Sequence, residues 1–167
     1  SMPSGYKNGT GGSLQIAVDA MMAARSPHAF LGIDLDGRAA VVNTIGNSAQ
    51  HLILRGGSYP NYDEESVLSA SSLLEIAGLQ PNVVIDCSHA NSNKDHNRQP
   101  IVFRDAIAQR TEGNKAVIGL MLESHLNEGN QSLGDPAELK YGVSITDACI
   151  NWKTTEELLR EAHAALS

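Results

Sequence analysis

Aromatic residues are scarce in this chain, where Phe, Trp and Tyr together make 4% of 167 residues. A core built without them rests on Ala, Val, Leu, Ile and Met, the filling of helices laid on a parallel sheet, and this favours an α/β class. Basic residues are also few, 12 against 19 acidic, for a formal net charge of −7. A nucleic-acid surface needs a basic stripe to neutralise phosphates, so nucleic acid is not an expected partner. No apolar run approaches the roughly 20 residues of a membrane helix, and with a mean hydropathy of −0.20 no membrane association is expected. Two cysteines, Cys87 and Cys149, are too few for a disulfide framework. With no charged-then-apolar leader at the start, they point to a reducing, cytoplasmic setting in which the sequons at Asn8 and Asn130 carry no glycosylation meaning.

What is present alternates. Residues 3–7 read as a strand, and Ser13 is a fitting N-cap for a helix that places Leu14, Ala17, Val18 and Met21 on one face before Ser26-Pro27 ends it. Two apolar runs, 29–33 and 39–42, flank Asp36-Gly37, the dipeptide that two-residue turns prefer, and predict a β-hairpin near 29–44. A strand at 52–54 is followed by a helix from Asp63 that uses Val67, Leu68, Leu74 and Ile76 and closes at Gly78. The pattern repeats with a strand at 83–85 and a helix through Ile101, Ala106 and Ile107. A continuous apolar strand at 116–122 and a last helix, opened by Thr154-Thr155 and running through Leu158, Leu159 and Ala162, complete it. Four strand–helix units with near-continuous apolar strands indicate a parallel sheet. A closed (β/α)8 barrel takes about 250 residues, and a free four-stranded sheet exposes an edge on each side. Residues 1–167 therefore read as one region with the size of half a barrel, and Ser1-Met2 reads as a cloning scar or the cut end of a longer chain.

The polar residues that could carry chemistry stand at the carboxyl ends of the strands: Lys7, Arg55, His89 and Glu123. In a parallel α/β fold these ends converge on one face, where loops and helix N-termini gather ligand-binding groups. Two cations beside a His and a carboxylate describe an anion pocket for phosphate or carboxylate next to a metal or acid–base centre. Arg55, flanked by Gly56 and Gly57, suits bidentate anion binding, with a salt bridge to a neighbouring loop as its rival. His89 at a strand tip is the better ligand beside Cys87, which reads as a small buried hydrophobe, while Asp86 has the opposite parity and is expected to pair with a basic group. Glu123 ends a long apolar strand, where a carboxylate needs a cation. Asp147 lies in the loop after that strand, with helix capping as its alternative role. One His and two carboxylates form an N/O set suited to Mn, Fe, Co or Zn, and no fourth ligand is evident. His28, His51 and His163 read as surface residues, and Lys94, His96 and Arg98 as a solvated basic loop.

Five segments in order carry a resemblance: Gly5-Tyr6-Lys7-Asn8-Gly9-Thr10, Leu54-Arg55-Gly56-Gly57, Asp86-Cys87-Ser88-His89-Ala90-Asn91-Ser92, the run from Glu123 to Ser132, and the run from Tyr141 to Ile150. Together they resemble the class I 3-deoxy-D-arabino-heptulosonate 7-phosphate (DAHP) synthases over essentially the whole chain, and the match is to the C-terminal half of that enzyme. The resemblance implies that the four units are the fifth to eighth of a (β/α)8 barrel. It implies condensation of phosphoenolpyruvate with erythrose 4-phosphate, with release of phosphate, as the first step of the shikimate route to aromatic amino acids. It also implies that Lys7 contacts the phosphoenolpyruvate carboxylate and Arg55 its phosphate. His89, Glu123 and Asp147 would bind a divalent metal, with Lys7 and His89 catalytic and Asp147 also facing substrate. A homo-oligomer is expected.

The departures from the family lie in what precedes these segments. The family's fourth metal ligand, a cysteine on the first strand, and its Lys-Pro-Arg-Thr segment have no counterpart here, and Cys87 and Cys149 do not replace that ligand. The hairpin residues Phe30, Gly32 and Val42 resemble half of an effector pocket for aromatic amino acids. The first reading is thus the C-terminal half of a metal-dependent DAHP synthase, inactive without its other half. A second is a catalytically silent half-barrel that self-associates to cover its edges. A third, the sister synthase acting on arabinose 5-phosphate, fits the Glu123–Ser132 and 144–150 segments less well.

Overall fold

The structure, a computed structural model, describes residues 2–167, so the reading of Ser1 as a scar falls outside the described residues. In chain order the elements are β1 (Ser4–Lys7), α1 (Gln15–Arg25), β2 (Ala29–Ile33), β3 (Ala39–Asn43), β4 (Gln50–Leu54), α2 (Glu64–Ile76), β5 (Val83–Asp86), α3 (Gln99–Thr111), β6 (Val117–Met121) and α4 (Trp152–Leu166). One sheet has the order β1-β4-β5-β6, and β2-β3 form a separate two-stranded sheet. Every pair in the four-stranded sheet is parallel, with Tyr6 opposite Leu52, Leu52 opposite Val83, and Val83 opposite Val117 before a register shift at Val83/Val84. The α/β class and the four strand–helix units are those the sequence predicts, and the arrangement is that of a partial (β/α)8 barrel.

Strand parity decides the two faces. Leu52, Leu54, Val83 and Ile85 are fully buried under Val18 and Met21 of α1, Val67 and Leu74 of α2, and Val102, Phe103 and Ala106 of α3. Truncating a Leu at such a place costs about 2–5 kcal/mol, because the removed methyls leave a cavity as well as lost transfer energy. The other face carries Gly5, His51, Ile53, Val84 and Gly119, and a Cβ added to Gly5 would stand 2.5 Å from the His51 ring and 2.6 Å from Ile53. The glycine is thus needed where His51 leans across β1, and His51 is half-buried there, not a surface residue.

Several local expectations are corrected. The first helix has Leu14, not Ser13, at its N-cap, with no side-chain cap bond. The hairpin closes through three residues, 35–37. The Asp34 N–H donates to the Arg38 carbonyl (2.9 Å), Gly37 sits at φ +81°, and the Asp34 side chain accepts from the Asp36 and Arg38 amides. A type I turn followed by a left-handed glycine replaces the two-residue turn that Asp-Gly alone suggests. Leu68, Ile76, Ile101 and Leu159, read as core, are at least half exposed, since each lies a step off the buried stripe of its helix. The last helix is capped by Asn151, whose Oδ1 accepts from the Thr154 amide at 2.9 Å, so it starts at Trp152 ahead of Thr154-Thr155. Strand β6 is shorter than 116–122, and Ile118 is half exposed where it lines an open space between α3, β6 and α4.

Candidate metal and anion site

Parallel strands bring their carboxyl ends to one side, and the side chains there meet around Asp86, the last residue of β5. Its carboxylate is 2% exposed, and its Oδ2 accepts from Lys7 Nζ at 2.7 Å and lies 2.9 Å from His89 Nδ1. Oδ1 accepts from the Ser88 amide at 3.0 Å. Lys7 and Asp86 reach each other across β4, and the pairing expected of Asp86 with a basic group is this one. A carboxylate only accepts, so the His89 proton lies on Nδ1 and the lone pair of Nε2 points the other way. The Ser88 hydroxyl, 2.8 Å from the same Nδ1, completes that side of the ring.

Opposite Nε2 stand two carboxylates, Glu123 Oε1 at 3.6 Å and Asp147 Oδ2 at 3.8 Å. One ligand atom from each of His89, Glu123 and Asp147 falls within 4.8 Å of the others. Burial pushes the Glu123 carboxyl above its ordinary value, His89 draws it back, and the charges of Asp147 and Asp86 push it further up. An imidazole lone pair and two carboxylates turned toward one point repel unless something positive lies between them, so the donor set fits a divalent cation with N/O preference.

Each member is held by local structure. His89 sits at φ +53°, and among the described residues the non-glycine residues at positive φ, His89, Asn93 and Lys94, all fall in this one loop. Backbone strain of this kind costs on the order of 1–3 kcal/mol per residue and persists where the surroundings enforce it. Here the His89 carbonyl accepts from the Lys94 amide at 2.7 Å. The Glu123 backbone is gripped by the side chain of Gln99. Asp147 is exposed and comes from a long excursion after β6, which isolated bridges fold back: Ser124 with Ile150, Gly129 with Cys149, and Asn130 with Ser144. A cavity of about 50 Å³ is lined by the three candidate ligands together with Lys94, His96 and Gln99, so the basic loop read as solvated borders the site.

Arg55 opens the loop after β4 and engages no ion pair among the described residues. Its amide donates to Asn8 Oδ1 at 2.8 Å, while Asn8 Nδ2 donates to the Gly56 carbonyl at 2.8 Å. Buried Asn91 ties this loop to the next, donating to the Leu54 and Asp86 carbonyls and accepting from the Asn61 amide. Sequence reasoning passed over Asn8, Asn61, Asn91 and Gln99, since a carboxamide in a loop looks like ordinary turn polarity until its burial is known. Cys87 is fully buried, as its reading as a hydrophobe expects. Phe30 and Val42 face each other across the hairpin, and a Cβ on Gly32 would meet Val42 Cγ2 at 2.8 Å, so the three share one hairpin face.

A larger cavity, about 840 Å³, lies elsewhere, between α3, β6 and α4, and is lined mostly by apolar side chains such as Ile118, Trp152 and Leu159.

Known proteins resemble the chain closely. The family model described as DAHP synthetase I family matches residues 1–160. A phospho-2-dehydro-3-deoxyheptonate aldolase, Tyr-sensitive, of Enterobacter agglomerans is 58% identical over 167 residues, covering 99% of this chain and 78% of that protein. The Tyr-sensitive protein of Escherichia coli K12 is 53% identical over 168 residues, covering 100% of this chain and 47% of that protein. Among solved structures, phospho-2-dehydro-3-deoxyheptonate aldolase from Francisella tularensis SCHU S4 superposes with a TM-score of 0.88 at 41% identity, over 96% of this chain and 47% of that one. The chain therefore spans about half the length of the Escherichia coli and Francisella relatives.

Proposed function

The chain belongs to the DAHP synthetase I family, and from that premise we propose that it is the C-terminal half of a metal-dependent DAHP synthase, carrying units five to eight of the barrel. The reaction proposed is condensation of phosphoenolpyruvate with erythrose 4-phosphate, on the route to aromatic amino acids. The observation that carries this reading is the convergence of His89, Glu123 and Asp147 on one point beside the Lys7–Asp86 pair.

In this reading the three residues hold a divalent cation, which when bound supplies Lewis-acid polarisation of an aldehyde carbonyl. Manganese, iron, cobalt and zinc all suit one imidazole and two carboxylates. Asp86 keeps the proton of His89 on Nδ1 and holds Lys7 at the mouth. Lys7 and Arg55 are the cations for the carboxylate and phosphate of the enol phosphate, and Arg55 suits the task because its fork is not committed to another carboxylate. Positioned charges of this kind stabilise negative charge that grows during reaction, which is where catalysis gains most. Asp147, the most exposed of the three ligands, also faces substrate. Phe30, Gly32 and Val42 form one side of an effector site for an aromatic amino acid. A cytoplasmic location and a homo-oligomeric state belong to the same reading. Among the described residues no helix is long and apolar enough to cross a membrane.

The test has two arms. Mn2+ titrated into the chain by calorimetry binds, and His89→Ala weakens that binding at least tenfold; no binding by the parent chain would overturn the metal assignment. The synthase reading is tested with a chimera that joins the preceding half of the Escherichia coli relative to this chain. It forms heptulosonate phosphate from the two substrates, and His89→Ala abolishes the activity, whereas the 167-residue chain alone is inactive.

A further inference from the structure

We infer that Gln99 is a positioning residue that sets Glu123 in place for the cation; the inference rests on the metal reading above. Gln99 is the first residue of α3 and is fully buried. Its Oε1 accepts from the Glu123 amide at 2.8 Å, and its Nε2 donates to the Glu123 carbonyl at 3.1 Å. The carboxamide therefore pairs with both peptide groups of one residue, as a neighbouring strand would.

That residue needs such a partner. The last ladder residue of β6 is Met121, and Glu123 lies past it on the side of the sheet where no further strand is present among the described residues. The Ile150 amide also reaches the Glu123 carbonyl, at 3.0 Å, but its amide has Gln99 alone. A buried amide left unpaired is costly, and a backbone free to rotate would swing the carboxylate away from His89 Nε2, now 3.6 Å off. Gln99 also follows the loop that carries His89, so one helix start links two candidate ligands from adjacent strand ends. A Met or Leu would fill the same space without the two hydrogen bonds, so packing alone does not account for a glutamine here.

Outer partners of metal ligands typically control affinity by 10–100-fold. In calorimetric titrations of the 167-residue chain with Mn2+, Gln99→Met therefore weakens binding by about that factor. Gln109→Met is the matched control: it removes a buried glutamine of the same helix, bonded to the Tyr62 carbonyl and Asp105, and leaves Mn2+ affinity within twofold. In a Glu123→Ala background Gln99→Met has no further effect, because it acts through Glu123. Affinity unchanged by Gln99→Met in a folded chain overturns the inference, and so does an equal loss in the Glu123→Ala background. Absence of Mn2+ binding by the parent chain overturns the metal reading itself, and this inference with it. If circular dichroism shows Gln99→Met unfolded, Gln99→Glu keeps size and acceptor, loses the donor, and is read by the same criteria.

Discussion

The Lys7–Asp86–His89 arrangement yields a quantitative test. Asp86→Asn keeps the side-chain volume and the acceptor for the Ser88 amide, so the amide nitrogen of the new residue takes the place of Oδ2. It then faces Lys7 Nζ and His89 Nδ1, which stand 2.7 and 2.9 Å from that oxygen. His89 can adapt by moving its proton to Nε2 and accepting at Nδ1; Lys7 cannot, because an ammonium has no acceptor. The stability loss is thus mainly one charge-assisted bond, about 1.5–3 kcal/mol. Since the Lys7 side chain is 32% exposed and recovers some water, about 2 kcal/mol is the expected value. Lys7→Met costs a similar amount by leaving a buried carboxylate without its counter-charge. The double variant costs at least 1 kcal/mol less than the sum of the single changes, because the two losses are the same interaction. Urea unfolding at constant m reads all three values. The tautomer change adds a second readout, since a protonated Nε2 is no ligand and Mn2+ affinity falls 10–100-fold in Asp86→Asn. Additivity within about 0.5 kcal/mol, or unchanged Mn2+ affinity, would refute the reasoning.

Three further outcomes are expected. Asp63 caps α2 by accepting from the Ser66 amide at 2.9 Å, and Asp63→Ala loses about 1 kcal/mol at pH 7 in urea unfolding. Partial burial draws the Asp63 carboxyl up, but bonds from the Ser66 amide and hydroxyl outweigh it and hold the group below its ordinary value. The capping advantage is therefore full above the unfolded carboxyl range and shrinks as pH falls through the folded value; a deficit as large at pH 2.5 as at pH 7 would contradict this. Burial, reinforced by the neighbouring Asp86 charge, pushes the Cys87 thiol far above its ordinary value, so a thiol reagent modifies it only as fast as the chain unfolds. Rapid labelling of Cys87 in the native chain would show that the β5 tip opens. Finally, β1 and β6 are edge strands among the described residues, and the hairpin exposes Leu31, Ile33, Leu35 and Val41, so sedimentation at micromolar concentration gives a dimer or larger species; a monomer would show that these surfaces are tolerated in water.

The sequence by itself determined the alternation of strand and helix and the side on which chemistry collects. Short β-branched apolar runs such as Val83-Val84-Ile85, each followed by a helical pattern, read as strands covered by helices, and parallel strands oblige Lys7, Arg55, His89 and Glu123 to share one end. Periodicity was less able to rank apolar residues within a helix, which is why Leu68 and Ile76 read as core and lie in water. Distances across the sheet were beyond it. That Lys7 pairs with Asp86 across β4, while Arg55 engages no ion pair among the described residues, depends on the order of the strands in the sheet. Nor did spacing reveal that Asp147 returns to within 3.8 Å of His89, since a chain of bridges in the excursion after β6 brings it there. Gln99 makes the difference plainest: in the sequence it is one polar residue among several before Pro100, with nothing to set it apart. Only burial beside Glu123, whose amide has no other partner, turns the Gln99 carboxamide into a substitute strand, because hydrogen-bond demand is set by what surrounds a group and not by its place in the chain.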